Sequence, residues 1–155
     1  MTTEHTNREK NIYLRKATAD DALDILAWRN DPQTRAASFN KEEIDKESHL
    51  KWFAGKLTDE NCELYILTDG QDKLGHIRVD IDDSTGIISY MINPAHRGKG
   101  CGTEIIRLLD AAVDKQVSVL SALVEKENTA SQKCFERNGY VRDEDTDVIK
   151  YIKVL

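Results

Sequence analysis

The sequence predicts a mixed α/β domain: a central mixed, mostly antiparallel sheet flanked by helices, in the order β-α-α-β-β-β-α-β-α-β-β. Three observations carry this. Strand-like segments between residues 62 and 93 are joined by short turns, the mark of an antiparallel meander. A strand, helix, strand unit follows them, which brings a parallel pair into the sheet. Apolar residues at helical spacing precede the meander and recur after it.

Ile12 to Ala17 alternates and reads as the first strand. Thr18 with Asp21 three residues on resembles a capping box. The helix it opens carries Ala22, Leu23, Ile25, Leu26 and Trp28, and should stop near Asn30-Asp31-Pro32. A second helix is expected from about Lys41 to Lys56, marked by Ile44, Leu50, Phe53 and Leu57. The meander strands are Cys62 to Thr68, Lys73 to Asp82 and Gly86 to Asn93, turning at Asp69-Gly70 and at Asp83 to Gly86. Pro94 ends that run. A glycine-rich stretch, Arg97 to Gly102, opens a helix striped by Ile105, Leu108, Leu109 and Ala112. Val117 to Val124 is an apolar strand, and Asn128 to Asn138 a helix that Gly139 stops. Strands near Tyr140 to Asp143 and Val148 to Val154 close the chain. The polar residues 1–10 read as a loose N-terminal arm, ahead of a single domain over 11–155.

With 155 residues the chain is one domain in size, long enough to bury a core. Its formal net charge of -6 argues against nucleic acid as a partner and leaves only a local basic pocket for an anion. No apolar run approaches the roughly 18 residues of a membrane span, and the first ten lack a signal-peptide core. Cys62, Cys101 and Cys134 are odd in number, widely spaced and form no CxxC, which disfavours disulfides and a metal site. A reduced, cytoplasmic setting is expected.

The chemistry concentrates at His96-Arg97-Gly98-Lys99-Gly100-Cys101-Gly102-Thr103. Three glycines at alternate positions, between a strand and a helix, let backbone N–H groups approach an anion closely. The helix N-terminus adds unsatisfied donors and a positive dipole end, and Arg97 and Lys99 add charge. A pyrophosphate suits such a nest. The spacing matches neither a Walker A loop nor the dinucleotide fingerprint GxGxxG.

Arg97, Gly100 and Gly102 resemble the signature of the GNAT acetyltransferases: Arg or Gln, two residues, Gly, one residue, Gly or Ala. Asn128 to Tyr140 is similar to a second element of that family, a helix opened by Asn. The family's element order also parallels the one read above. The resemblance implies acetyl-CoA as co-substrate, bound where the fourth and fifth strands splay apart. Met91 and Ile92 would align its pantetheine arm, and the amides of Gly98, Lys99, Gly100, Cys101, Gly102 and Thr103 would bind the pyrophosphate. Asn128 would contact the pantetheine arm, and Lys133 the nucleotide end. The reaction implied is attack of a primary amine on the thioester, with a base to deprotonate the amine. Many relatives carry a tyrosine seven residues after the Asn as proton donor to the thiolate; here that position is Phe135. Water, Ser131 or Tyr90 stand as substitutes. Catalytic candidates are Tyr90, Glu125 and His76, with Asp80 a further carboxylate that either serves as base, faces solvent or pairs with Arg78.

Segments 28–31, 38–40, 49–53 and 75–80 resemble a GNAT subgroup that acetylates nucleotide-linked amino sugars of the pseudaminic acid type. That implies the 4-amino group of a UDP-linked sugar as acceptor, with Arg29, His49 and Arg78 on the nucleotide or its phosphates. Phe39 and Trp52 would stack on uracil or sugar, and Asn40 lies in the same loop. Trp28, Trp52 and Phe53 also suit a helix core. The resemblance admits a homodimer. Three other readings stay open: a protein N-terminal acetyltransferase of the ribosomal type, a noncatalytic CoA-binding module, and a nucleotide-binding protein unrelated to CoA.

Overall fold

The computed structural model describes residues 11–145 and 147–155, so the expected arm, residues 1–10, lies outside the described residues. The strands are β1 (Tyr13–Lys16), β2 (Cys62–Thr68), β3 (Lys73–Asp82), β4 (Thr85–Ile92), β5 (Val119–Glu125), β6 (Val141–Asp145) and β7 (Val148–Val154). The α-helices are α1 (Ala22–Asn30), α2 (Pro32–Ala37), α3 (Lys46–Leu57), α4 (Cys101–Ala112) and α5 (Thr129–Arg137). The strands form one sheet in the order β1-β2-β3-β4-β5-β7-β6. Every neighbouring pair is antiparallel except β4 with β5, which run parallel.

Helices cover both faces. On one, Ile105, Ile106 and Leu109 of α4 and Phe135 of α5 pack against Ile77, Val79, Leu120 and Tyr151. On the other, Ile25 and Trp28 of α1 and Phe53 of α3 pack against Leu64 and Ile66. This double cover explains why β2 is buried continuously from Leu64 to Thr68 rather than at alternate positions.

The parallel pair is short. β4 meets β5 at Thr85↔Val119, Gly86↔Leu120 and Ile87↔Ser121 and nowhere beyond. Past that point β4 runs on to Ile92, still paired with β3, and β5 runs on to Glu125, still paired with β7. The sheet therefore divides into two wings with a cleft between them.

The helices before β2 differ from expectation. Asp31-Pro32 does end α1, but it also begins α2. Asp31 accepts the Thr34 N–H at 3.0 Å, and Pro32 sits in the first turn, where its missing N–H costs nothing. Helix α3 starts at Lys46 rather than near Lys41, because Asp45 caps it through the Ser48 N–H at 3.0 Å. Ile44 consequently lies in the loop. There the Asn30 side chain clamps its backbone, donating to Ile44 O at 2.8 Å and accepting from Ile44 N at 2.6 Å.

Asp21 fastens the start of α1 to the sheet. Its carboxylate is buried, accepts the Thr18 N–H at 2.8 Å and pairs with Arg15 of β1 and Lys73 of β3 at 2.8 Å each. Burial alone would raise its pKa, but the hydrogen bonds from Arg15 and Lys73 overcome that and hold it well below the usual carboxylate range. The folded pKa lies below the unfolded one, so the contribution is complete above about pH 4 and fades as the pH falls below it. Asp21→Asn is expected to lower stability by about 2 kcal/mol at pH 7, since partly buried Arg15 loses its carboxylate and Lys73 keeps only the exposed Asp24. Urea unfolding checks this, and the gap from the parent should narrow below about pH 4.

Candidate functional site

A cavity of about 650 Å³ opens between the wings and along the N-terminus of α4. Met91 and Ile92 border it from β4, and Arg97, Gly98, Gly100, Cys101, Gly102 and Thr103 from the glycine-rich loop and the first turn of α4. Asn128 and Lys133 border it from α5. Of the residues expected around one anionic ligand, the structure gathers all but Lys99, which is exposed and does not line the cavity.

The local geometry has definite causes. Gly100 is the N-cap of α4 at φ +80°, a left-handed conformation that a side chain would strain. Gly102 is needed for close approach: a Cβ there would lie 2.9 Å from Cys134 Sγ, and 3.7 Å from the Tyr90 hydroxyl. Asn128 caps α5, its Oδ1 accepting the Ser131 N–H at 3.2 Å. Buried Gln132 holds α5 to the end of β5, donating to Glu125 O at 3.2 Å and Lys126 O at 2.9 Å.

The Arg97 guanidinium is directed to α2 and not only to the cavity. It binds Asp31, Thr34 Oγ1 at 2.7 Å and Gln33 Oε1 at 3.2 Å. Gln33, Thr34, Ala37 and Ser38 of this part of the chain thereby become part of the cavity wall. Sequence reasoning missed Gln33, Thr34 and Ala37 because it read no helix there, and placed Ser38 only in an acceptor-side segment; the Asp-Pro-x-Thr start signal was the clue.

Tyr90 borders three cavities: the large one, one of about 170 Å³ beside α1 and α3, and one of about 250 Å³ at the end of β5. Its hydroxyl donates to Ser131 Oγ at 2.9 Å, and its ring meets Phe135 edge-on at 5.8 Å. Burial, then the neighbouring Cys134, pushes the phenol pKa above its ordinary value, so Tyr90 keeps its proton. Phe135 is a core residue, stacked on Tyr151 at 5.6 Å and edge-on to Tyr140 at 5.0 Å.

The candidate bases separate. Glu125 borders the 250 Å³ cavity with Phe39 and Tyr90, its carboxylate 3.2 Å from Lys41 Nζ. Lys41 also donates to Ser38 O at 2.8 Å and Ala36 O at 3.1 Å, which ties the segment after α2 across the cleft to β5. Asp80 pairs with Lys56 at 2.8 Å and Arg78 at 2.9 Å and borders none of the three cavities. Burial opposes its ionisation, but Lys56 and Arg78 still hold its pKa below the usual range, making it a poor base. His76 is buried, with Nδ1 3.0 Å from Tyr65 O. Burial pulls its pKa down to about 4, far below that of an ordinary amine, which is too weak to deprotonate an ammonium.

The residues expected on the acceptor side divide similarly. Arg29, Asn40, Trp52 and Arg78 line the 170 Å³ cavity, whereas Phe39 is exposed and borders the β5 cavity instead. His49 lines neither. It is buried, with Nε2 2.7 Å from Ala22 O and Nδ1 3.0 Å from Arg29. A carbonyl only accepts, so Nε2 carries the proton and bare Nδ1 accepts from Arg29; His49 positions Arg29 from behind. Trp28 and Phe53 are core, while Trp52 lies under Arg29 at 4.5 Å and Arg78 at 5.1 Å. Among the described residues no cluster of His, Cys, Asp or Glu is arranged to hold a metal, and no helix is long and apolar enough to cross a membrane.

A model of the acetyltransferase (GNAT) domain matches residues 11–141. The uncharacterized N-acetyltransferase YfmK of Bacillus subtilis (strain 168) is 29% identical over 98 residues, which span 63% of this chain and 66% of that protein, just under two thirds of its length. Among solved structures, the spermidine N-acetyltransferase of Vibrio cholerae, in complex with CoA and spermine, superposes with a TM-score of 0.85 at 16% identity, covering 94% of this chain and 96% of that one. An aminoglycoside acetyltransferase in complex with coenzyme A gives 0.80 at 16% identity, covering 92% and 94%. A ribosomal alpha-N-protein acetyltransferase in complex with coenzyme A gives 0.77 at 16%, covering 93% and 94%. At these identities the likeness is one of fold.

The Gly102 contact yields a test. Gly102→Ala is expected to cost about 1–3 kcal/mol by overpacking against Cys134. Gly102→Ala combined with Cys134→Ala should recover most of that loss in a thermal-unfolding double-mutant cycle.

Proposed function

The chain belongs to the GNAT acetyltransferase domain family, and from that premise we propose that it transfers the acetyl group of acetyl-CoA to a primary amine. One observation carries the reading: the cleft between the diverging β4 and β5 runs directly into the glycine-rich N-terminus of α4, forming one continuous cavity. The open strand edges suit an extended amide-containing arm, and the loop suits a pyrophosphate.

Acetyl-CoA supplies the acyl group as a thioester. The amides from Gly98 to Thr103 hold its pyrophosphate, with Lys99 adding only a diffuse positive field from the surface. Met91 and Ile92 orient the arm in the cleft, with Asn128 and Lys133 on the opposite wall. Tyr90 takes the place of the missing α5 tyrosine, because its hydroxyl sits on Ser131 at the junction of the cavities, against Phe135. The pKa order decides what Tyr90 does there. A phenol held above its ordinary value of about 10 does not surrender its proton to a thiolate of about 8.5. Tyr90 therefore donates a hydrogen bond to the departing sulfur and stabilises its charge. Glu125 remains the base, as the carboxylate bordering the cleft beside Tyr90.

For the acceptor we retain the 4-amino group of a UDP-linked sugar, supported by the segment resemblance and by the guanidinium-flanked Trp52 in the cavity next to Tyr90. A protein N-terminus is the alternative. Thiol release from acetyl-CoA, run with UDP-linked 4-amino sugars, free amino sugars and N-terminal peptides, is expected to respond to the first. Turnover with peptides alone would move the acceptor assignment, and binding without turnover would favour the noncatalytic reading.

Gly100→Glu should abolish acetyl-CoA binding in calorimetry, because an anion would occupy the pyrophosphate nest; unchanged affinity would place the pyrophosphate elsewhere. Tyr90→Phe should lower kcat by roughly 10²-fold with little change in acetyl-CoA affinity, and an unaltered kcat would remove Tyr90 from the chemistry.

A further inference from the structure

We infer that the 170 Å³ cavity beside α1 and α3 is a two-point subsite for the acceptor: Nε2 of His76 accepts a hydrogen bond from a hydroxyl or amine N–H, and Arg29 holds an anionic group beside it. The inference rests on the acyl-transfer reading and defines the class of amine that enters.

His76 and Arg78 are two residues apart on β3, so they share a face of the sheet, and both line this cavity with Arg29, Trp52 and Met91. The tautomer of His76 follows from its one partner. Tyr65 O has no hydrogen to give, so Nδ1 carries the proton and Nε2 carries a lone pair. Nε2 is buried and has no hydrogen-bond partner among the described residues, and His76, 4% exposed as a residue, is one of those walling the cavity. Buried polar atoms of this kind are normally satisfied. A ligand donor in the cavity supplies the missing partner. The ring stays neutral across the physiological range because burial lowers its pKa to about 4, so it remains an acceptor and does not become a second cation.

Arg29 supplies the second point. Its guanidinium is half-buried, and no carboxylate pairs with it among the described residues. His49 Nδ1 steadies it at 3.0 Å, and Trp52 lies beneath it. Arg78 adds a second cation whose nearest carboxylate, Asp80, is shared with Lys56. Burial, then the Arg78 charge, lowers the pKa of Arg29, the mark of a positive charge without local compensation. A phosphate or carboxylate relieves that excess, and a polycation aggravates it. The subsite therefore takes an amine that also bears an anionic group with a hydroxyl or N–H donor next to it. Polyamines are disfavoured.

The test separates a ligand contact from a packing role by two amide substitutions. His76→Asn keeps an N–H where Nδ1 serves Tyr65 O, but deletes the Nε2 acceptor. His76→Gln places an amide oxygen near Nε2 and gives up the Tyr65 bond. With acetyl-CoA saturating, His76→Asn is expected to raise the acceptor KM about tenfold and His76→Gln by less than about threefold, both with unchanged acetyl-CoA affinity. Arg29→Gln should raise KM for a UDP-linked 4-amino sugar and for a dipeptide with an acidic second residue, and narrow their advantage over spermidine. The ratio of the first two distinguishes phosphate from carboxylate as the anion. A larger loss in His76→Gln than in His76→Asn, or no change in either, overturns the subsite. Binding is read independently of turnover by ¹⁵N resonances of the histidine rings during titration with the UDP-linked sugar and with the dipeptide. A shifted His76 Nε2 signal supports the subsite even if no amine is acetylated, which would count against the acyl-transfer reading alone. A static signal with bound ligand, or no binding of either anionic probe, overturns it.

Discussion

The separation of β4 from β5 after Ile87↔Ser121 is the constraint on which the rest of the architecture depends. Each strand keeps its outer partner, β3 or β7, so the sheet stays whole while its middle opens. The opening exposes backbone edges that a complete ladder would consume. It also gives the glycine-rich turn a direction to face. Everything assigned to the proposed chemistry lies along that seam: Met91 and Ile92 on one edge, Asn128 and Ser131 on the other, and Tyr90 where three cavities meet.

Two ion-pair systems close the seam from above. Arg97 ties the glycine-rich loop to Asp31 and Thr34 of the α2 turn, and Lys41 ties the segment after α2 to Glu125 of β5. Both span large sequence separations, so α2 acts as a brace across the wings and not as a surface ornament. Its position explains why a residue expected to face an anion, Arg97, holds the protein to itself as well. Beneath α2, the charge pattern reverses the global one. The chain carries a net charge of -6, yet Arg29 and Arg78 crowd one indole with a single carboxylate, Asp80, to balance Arg78 and Lys56. Local desolvation of guanidinium groups outweighs average composition in deciding what such a pocket accepts.

The legibility of the sequence follows the range of the interactions. The strands β2, β3 and β7 fall at the expected residues because alternation, turn residues and glycines act over a few positions. The glycine-rich loop is likewise local: Gly100 as a left-handed N-cap and Asn128 as the cap of α5 are written in neighbouring residues. Helix α2 was local too, but Asp31-Pro32 serves as stop and start at once, and the stop was the more visible signal. The helix α3 boundary combines a local signal, the Asp45 cap on Ser48, with a distant one, Asn30, which fourteen positions away claims the backbone of Ile44 and keeps it in the loop.

Side-chain roles were decided by contacts across the fold. His49, Trp52 and Phe53 sit within two turns of one helix, yet one steadies Arg29, one lines a cavity and one fills the core. His76 is an acceptor only because Tyr65 of the neighbouring strand fixes its tautomer, and Tyr90 meets Ser131 only because α5 docks against the far wing. The sequence by itself determined the order of the strands, the glycine-rich opening of α4 and the absence of an α5 tyrosine at Phe135, since each is set by residue type and short spacing. The tertiary structure alone decided the width of the cleft, the protonation of its buried groups and the partner of each charge, because burial and long-range pairing exist only once the two wings and the brace are in place.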